Sequence, residues 1–153
     1  MNLSEREIEW LNTEILISII RPLLGNRTTY LTDLDRVARK LLGNKYHGTY
    51  TSDKIPLLTN KIPYCILNVD KSTEGGSHWV AIAKDTNYYI IYDSFGRKTT
   101  KLIPSIISTY GNETVKDVDY DVEQKIEELN CGQRCIAWLL LTELFGVHNS
   151  KKL

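Results

Sequence analysis

Apolar residues recur at helical intervals from the start of the chain. Ser4, Glu5, Arg6 and Glu7 have capping-box spacing, and Ile8, Leu11, Ile15 and Ile19 follow as a stripe that Leu16 and Ile20 widen. The pattern predicts a helix from about Glu5 to about Ile20, broken by Arg21-Pro22-Leu23-Leu24-Gly25-Asn26. Thr32 and Asp33 then cap a second helix, predicted from Asp33 to Leu42, with Leu34, Val37 and Leu41 on its apolar side and Gly43-Asn44 as its stop. Leu-Leu-Gly-Asn thus occurs twice, each time as a helix end with glycine at the left-handed position. The polar stretch from His47 to Asp53 reads as a loop, Tyr64 to Val69 as a strand, and Ser72 to Gly76 as a glycine-rich turn.

The period then changes to that of a hairpin. Ser77 to Ala83 and Tyr88 to Ser94 read as strands flanking Lys84-Asp85-Thr86-Asn87. A two-residue turn at Asp85-Thr86 pairs Ile82 with Tyr89, Val80 with Ile91 and His78 with Asp93, whereas a three-residue loop sets His78 opposite Ser94. Trp79, Ala81 and Ala83 lie on one face and Val80 and Ile82 on the other, so both faces require cover. After a turn at Ser94-Phe95-Gly96-Arg97, Leu102 to Tyr110 reads as a helix despite Pro104, Gly111-Asn112 stops it, and Val115 to Val122 reads as an edge strand. Cys131 to Phe145 has good helix formers, no proline, and Gly146 as its stop. This core helix is the expected cover for one face of the hairpin.

Composition narrows the picture. A chain of 153 residues, 42% hydrophobic and 25% charged, reads as one soluble domain with a sizeable core. Lys plus Arg and Asp plus Glu number 19 each, so net charge directs the chain neither to nucleic acid nor to anionic membranes. The longest apolar run, Ile15 to Ile20 interrupted by Ser18, is far short of the roughly 20 residues that cross a bilayer. Three cysteines, and no secretory signal after Met1, point to free thiols in a reducing compartment. No repeat or phosphate-binding glycine motif is present, and no ligand pair is spaced for a metal around Cys131 and Cys135.

Chemistry concentrates at the core helix. A thiol at a helix N-terminus faces unpaired backbone N–H groups and the positive end of the dipole, which favours the thiolate. Gly132 is expected to leave the backbone beside that sulfur uncovered for a substrate carbonyl. A lone cysteine beside an apolar helix is more often a small buried hydrophobe, and a lone histidine a surface or core-edge residue. Here four residues supply a complete set: Cys131 as nucleophile, His78 as acid–base, Asp93 to orient the imidazole, and Gln124, seven residues before Cys131, as an oxyanion donor. Cys135 reads as core packing.

Three motifs carry a resemblance. Gly75-Gly76-Ser77-His78-Trp79, Tyr92-Asp93-Ser94-Phe95-Gly96, and Gln124 followed by Asn130-Cys131-Gly132 closely resemble the adenain family of adenovirus maturation proteases and, more distantly, the SUMO-specific proteases. Gly48-Thr49-Tyr50 and Cys65-Ile66-Leu67-Asn68 are also similar, and the likeness spans about Leu31 to Gly146. It implies an α+β fold, with a mixed β-sheet packed against a central nucleophile-bearing helix, in a single unit from 31 to 153 that carries an N-terminal helical extension, 1–30. It implies catalysis by His78, Asp93, Gln124 and Cys131, and substrate contacts at Gly48, Thr49, Tyr50, Gly76, Trp79 and Gly132. The implied activity is endopeptidase cleavage of viral capsid and virion precursor proteins, by a monomer requiring no metal or cofactor, in the virion and infected cell. Adenain-type enzymes are activated by a disulfide-linked viral peptide and by DNA. This chain has no cysteine between Cys65 and Cys131 for such a peptide, and its zero net charge weakens the case for DNA. Its first 30 residues have no adenain counterpart: they are an additional structural helix or, in a sharper reading, one that replaces the peptide in cis by packing on the sheet. Alternatives are an isopeptidase acting on ubiquitin-like tails, an acyltransferase of the same clan, and a non-catalytic capsid-binding protein.

Overall fold

The computed structural model describes residues 4–24, 31–70, 78–94, 98–118 and 131–146. Ser4 caps α1 (Glu5–Ile15) with the expected box: Glu7 N–H donates to Ser4 Oγ at 3.2 Å, and Ser4 N–H donates to Glu7 Oε1 at 3.1 Å. The helix does not break at Arg21-Pro22. It widens into a π turn, Leu16–Ile20, and continues as α2 (Arg21–Leu24). Proline has no N–H to give and its ring crowds the carbonyl four residues back; a wider turn, in which Arg21 N–H bonds Leu16 O five residues back, accommodates both. The extra residue in that turn also advances the helical phase. Ile20 rather than Ile19 therefore faces the core, the first fully buried and the second 37% exposed.

α3 (Leu31–Leu42) starts two residues earlier than expected and ends as expected at Gly43, which adopts a φ of +62°. The earlier Leu-Leu-Gly-Asn copy has its leucines at the end of α2, with Gly25 and Asn26 outside the described residues. A 3-10 turn, Gly43–Lys45, leads into β1 (Tyr46–Thr51). The stretch read as a loop from His47 is therefore mostly strand. Its backbone pairs in parallel with β2 (Tyr64–Asn68), with an irregular register between Tyr46 and Gly48. An edge strand is held by its backbone and is often polar, so its side-chain pattern does not announce it.

β3 (Trp79–Asp85) and β4 (Tyr88–Tyr92) form the hairpin, with its turn at Thr86-Asn87, one residue later than expected. Thr86 takes a φ of +55°, a hand that tight hairpin turns use. The register is displaced accordingly, Ile82 facing Ile91 instead of Tyr89. A displacement of two residues keeps every side chain on its own face, where a displacement of one would have exchanged the faces. Pro104 divides the helix expected from Leu102 into α4 (Thr99–Leu102) and α5 (Ser105–Tyr110), and Gly111, at φ +93°, ends the second. β5 (Val115–Asp117) runs parallel to β4, and the rest of the strand expected to Val122 lies, from 119 onward, outside the described residues. The sheet order β1-β2-β3-β4-β5, with antiparallel pairs in the middle and a parallel pair at each edge, makes this an α+β protein with a mixed sheet.

α6 (Cys131–Phe145) closes at Gly146, whose N–H bonds Thr142 O at 2.7 Å. It covers one face of the sheet, with Ile66, Trp79, Ala81, Ala83, Ile90 and Tyr92 beneath it. Leu67, Val80, Ile82 and Ile91 point the other way, against Leu58, Ile103, Ile106 and Tyr110. Both faces of the hairpin are thus covered. α1 and the π turn lie over the far side of α6, with α3 against both α6 and β1, so the N-terminal extension makes its main contacts with the core helix rather than with the sheet, where the sharper of the two readings put it. The physical reason lies in α6 itself, which is apolar around its circumference and has a side that the sheet leaves uncovered. Among the described residues no helix is long and apolar enough to cross a membrane.

Trp138 is fully buried in α6 and stacks on Tyr92, ring centroids 5.2 Å apart. Trp138→Ala is expected to cost about 3–5 kcal/mol of unfolding free energy, read by chemical denaturation. A loss below about 1 kcal/mol would show that this layer of the core is not tightly packed.

Candidate active site

The end of β2, the start of β3 and the end of β4 meet at one end of the sheet, where Asn68 pairs with Trp79 and Ala81 with Tyr92. α6 begins there too, because the hydrogen of Gly132 that a Cβ would replace faces Trp79 and Leu34. His78 precedes β3 by one residue, its carbonyl accepting the Val69 N–H at 2.8 Å, and Asp93 follows β4 by one residue. In the displaced register these two are diagonal rather than directly opposed, yet they share a face. Their side chains bridge the gap: His78 Nε2 donates to Asp93 Oδ1 at 2.5 Å. The pair is well sheltered, with the carboxylate side chain 1% exposed and the imidazole 10%.

Cys131 is the first residue of α6, and its side chain acts on the His78 ring strongly enough to help raise its pKa. With Nε2 committed to Asp93, Nδ1 is the ring nitrogen left for the thiol. Burial by itself lowers the imidazole pKa, but the hydrogen bonds to Asp93 and Cys131 and the charges behind them outweigh it, raising the value from 6.5 to about 8. The sequence-predicted nucleophile, acid–base and orienting residue are thus brought together. Gln124 and Gly76 lie outside the described residues.

The other expected contact residues are placed differently. Gly132 does not open the backbone to solvent: a Cβ there would stand 2.7 Å from Leu34 Cδ1 and 3.0 Å from Trp79 Cδ1. The missing side chain makes room for the packing of α3 and β3 on α6, a constraint of the core. Trp79 is correspondingly buried beneath α6. Thr49 is buried and committed to Asp35 Oδ1 at 3.1 Å and Tyr46 Oη at 2.5 Å, and Tyr50 Oη bonds His47 Nδ1 at 2.7 Å. Gly48, at φ +153°, packs so closely on Tyr50 that a Cβ would meet its hydroxyl at 2.7 Å. These three sit on β1, at the edge of the sheet, with β2 between them and β3.

The sequence reading passed over Asn68 as a site residue. It is 1% exposed, lies opposite Trp79, and spends Oδ1 on the Asp70 N–H at 2.9 Å, while its buried Nδ2 has no hydrogen-bond partner among the described residues. The available signal was a single amide closing an otherwise apolar strand. Among the described residues no group of three or more His, Cys, Asp or Glu is placed to hold a metal. The chain matches no protein-family model and no curated protein sequence.

Burial sets the cysteines apart. Cys65 and Cys135 are fully buried, which pushes both thiols well up, whereas Cys131 is 8% exposed at a helix start. Brief treatment of the native protein with iodoacetamide should modify Cys131 alone, as mapped by peptide mass spectrometry. Modification of Cys135 at a similar rate would show that α6 does not hold the enclosed position described.

The His78 shift also has a stability consequence. A pKa raised from 6.5 to about 8 means that the charged imidazole stabilises the fold at pH values below 6.5, and this contribution, about 2 kcal/mol, is lost as pH rises through about 8. The stability difference between the wild type and Asp93→Asn should therefore shrink across that window in denaturation curves. A difference that grows with pH would mean that His78 is held neutral.

Proposed function

We propose that the protein is a cysteine endopeptidase in which Cys131 attacks the scissile carbonyl, His78 moves the proton, and Asp93 holds the imidazole. The reading is carried by one observation: a buried carboxylate takes one nitrogen of His78 while a cysteine at the start of α6 acts electrostatically on the same ring. In the first half of the reaction the proton shared by the pair already lies on Nδ1 of the imidazolium, the thiolate of Cys131 attacks, a C–S bond forms, and the carbonyl becomes an oxyanion. By this reading the backbone N–H groups at the start of α6 supply donors for that charge. Nδ1–H then protonates the leaving amine as the C–N bond breaks, which leaves a thioester. In the second half His78 takes a proton from water, the hydroxide attacks the thioester, and the thiol is regenerated with release of the acid. Asp93 fixes the tautomer and stabilises the imidazolium throughout. Resemblance to the adenain family supports assigning Gln124 as a second oxyanion donor and virion precursor proteins as substrates.

Cys131→Ala should abolish cleavage of a peptide library while leaving the circular dichroism spectrum unchanged, and Cys135→Ala should retain most of the rate. Asp93→Asn should lower kcat by roughly two orders of magnitude or more. In the wild type, cleavage should fall as pH rises above about 8, where the imidazolium is lost. Cleavage that survives in Cys131→Ala would overturn the assignment.

A further inference from the structure

We propose that Asn68 is a positioning residue for catalysis: its side-chain oxygen closes the turn that holds the backbone of His78 where the imidazole meets Asp93, an inference that rests on the endopeptidase reading. Asn68 is the last residue of β2, paired with Thr51 on one side and with Trp79 on the other. It follows Ile66 by two residues, which puts it on the sheet face that α6 covers, beside the Trp79 that packs on Gly132. Ile66 and Trp79, its neighbours on that face, are apolar and buried. An aliphatic side chain would fill such a position without removing an amide from water, whereas Asn68 is 1% exposed and its Nδ2 has no hydrogen-bond partner among the described residues. Only the oxygen is used.

Two hydrogen bonds carry its effect to the imidazole. The Asp70 N–H donates to Asn68 Oδ1 at 2.9 Å, an Asx turn that fixes Val69 between the two. The Val69 N–H in turn donates to the His78 carbonyl at 2.8 Å, one position beyond the last paired residues of β2 and β3. Asp70 is held from the other side as well, its carbonyl accepting the Ser52 N–H at 3.2 Å. His78 precedes β3 and lies diagonal to Asp93, so a small shift of its backbone disturbs the 2.5 Å bond from Nε2 to Oδ1, and hydrogen bonds weaken steeply away from their best geometry. Among the described residues the titratable groups that act on the ring are Asp93, from the end of β4, and Cys131, from the start of α6, and both raise its pKa against the effect of burial. A displaced ring keeps its burial and loses its partners.

The test compares Asn68→Val with Asn68→Thr in the full-length protein. These variants are nearly isosteric, both lack Nδ2, and they differ by one oxygen, which in threonine can accept the Asp70 N–H as the asparagine oxygen does. The His78 ring is titrated by NMR. Wild type should titrate at about 8. Asn68→Val should titrate about one pH unit lower or more, with a melting temperature no lower than that of Asn68→Thr, and Asn68→Thr should recover most of the difference. In peptide cleavage Asn68→Val should lower kcat about tenfold with KM within about twofold of wild type, and Asn68→Thr should restore most of the rate. The same His78 titration in all three proteins, or equal falls in both variants, overturns the proposal. If Asn68→Val does not fold, the pair Asn68→Ala and Asn68→Ser repeats the comparison with the same two outcomes. Failure of the endopeptidase reading shows separately, as wild-type protein that cleaves no peptide while the titrations still differ as stated.

Discussion

The enclosure of α6 is the constraint on which the rest of the molecule depends. Residues from Cys131 to Thr142 are all buried, including Gln133 and Arg134, so this helix requires cover on every side. The sheet supplies one side and α1, the π turn and α3 supply the other, which makes the N-terminal helix a layer of the core and not an appendage. A polar link crosses that interface, Arg134 Nη1 donating to Asn12 Oδ1 at 3.4 Å, and both residues are almost wholly buried. Packing this dense explains why position 132 is glycine: Leu34 and Trp79 occupy the space a side chain would need.

Enclosure also sets the chemistry at the open end of the helix. Only Cys131, at the first position of α6, reaches the end of the sheet; Cys135, one turn further in, is sealed and its thiol is driven toward the neutral form. The imidazole beside Cys131 is subject to two opposing forces. Removal from water favours its neutral form, and the partners Asp93 and Cys131 favour the charged form strongly enough to prevail. A buried histidine kept protonated near neutral pH by a buried carboxylate has the properties of a proton donor to a leaving group.

The edges of the sheet are built on different terms from its centre. β2, β3 and β4 are held by apolar contacts on both faces, whereas β1 is held by backbone pairing and by a polar network in which Arg39, Asp35, Thr49 and Tyr46 are linked in turn. The close packing of Gly48 and Tyr50 belongs to that edge. Gly48 and Tyr50 thus have a structural task at the edge, while His78 and Asp93 stand at the sheet end beyond Asn68.

What the sequence by itself determined is local. Capping at Ser4, the left-handed glycines at 43, 111 and 146, the alternation that gives the hairpin two apolar faces, and the start of α6 at Cys131 follow from interactions among residues close in the chain. So does the sharing of a face by His78 and Asp93, because alternation has a period of two and survives the displaced register. The tertiary structure decided the rest. It turned a polar stretch into β1, because β2 offered its backbone a partner. It carried the first helix through Pro22 on a π turn and chose Ile20 over Ile19 for the core. It buried Gly132 and Asn68 and brought Cys131 to His78, since where helix ends and strand ends meet depends on layers packed from distant parts of the chain.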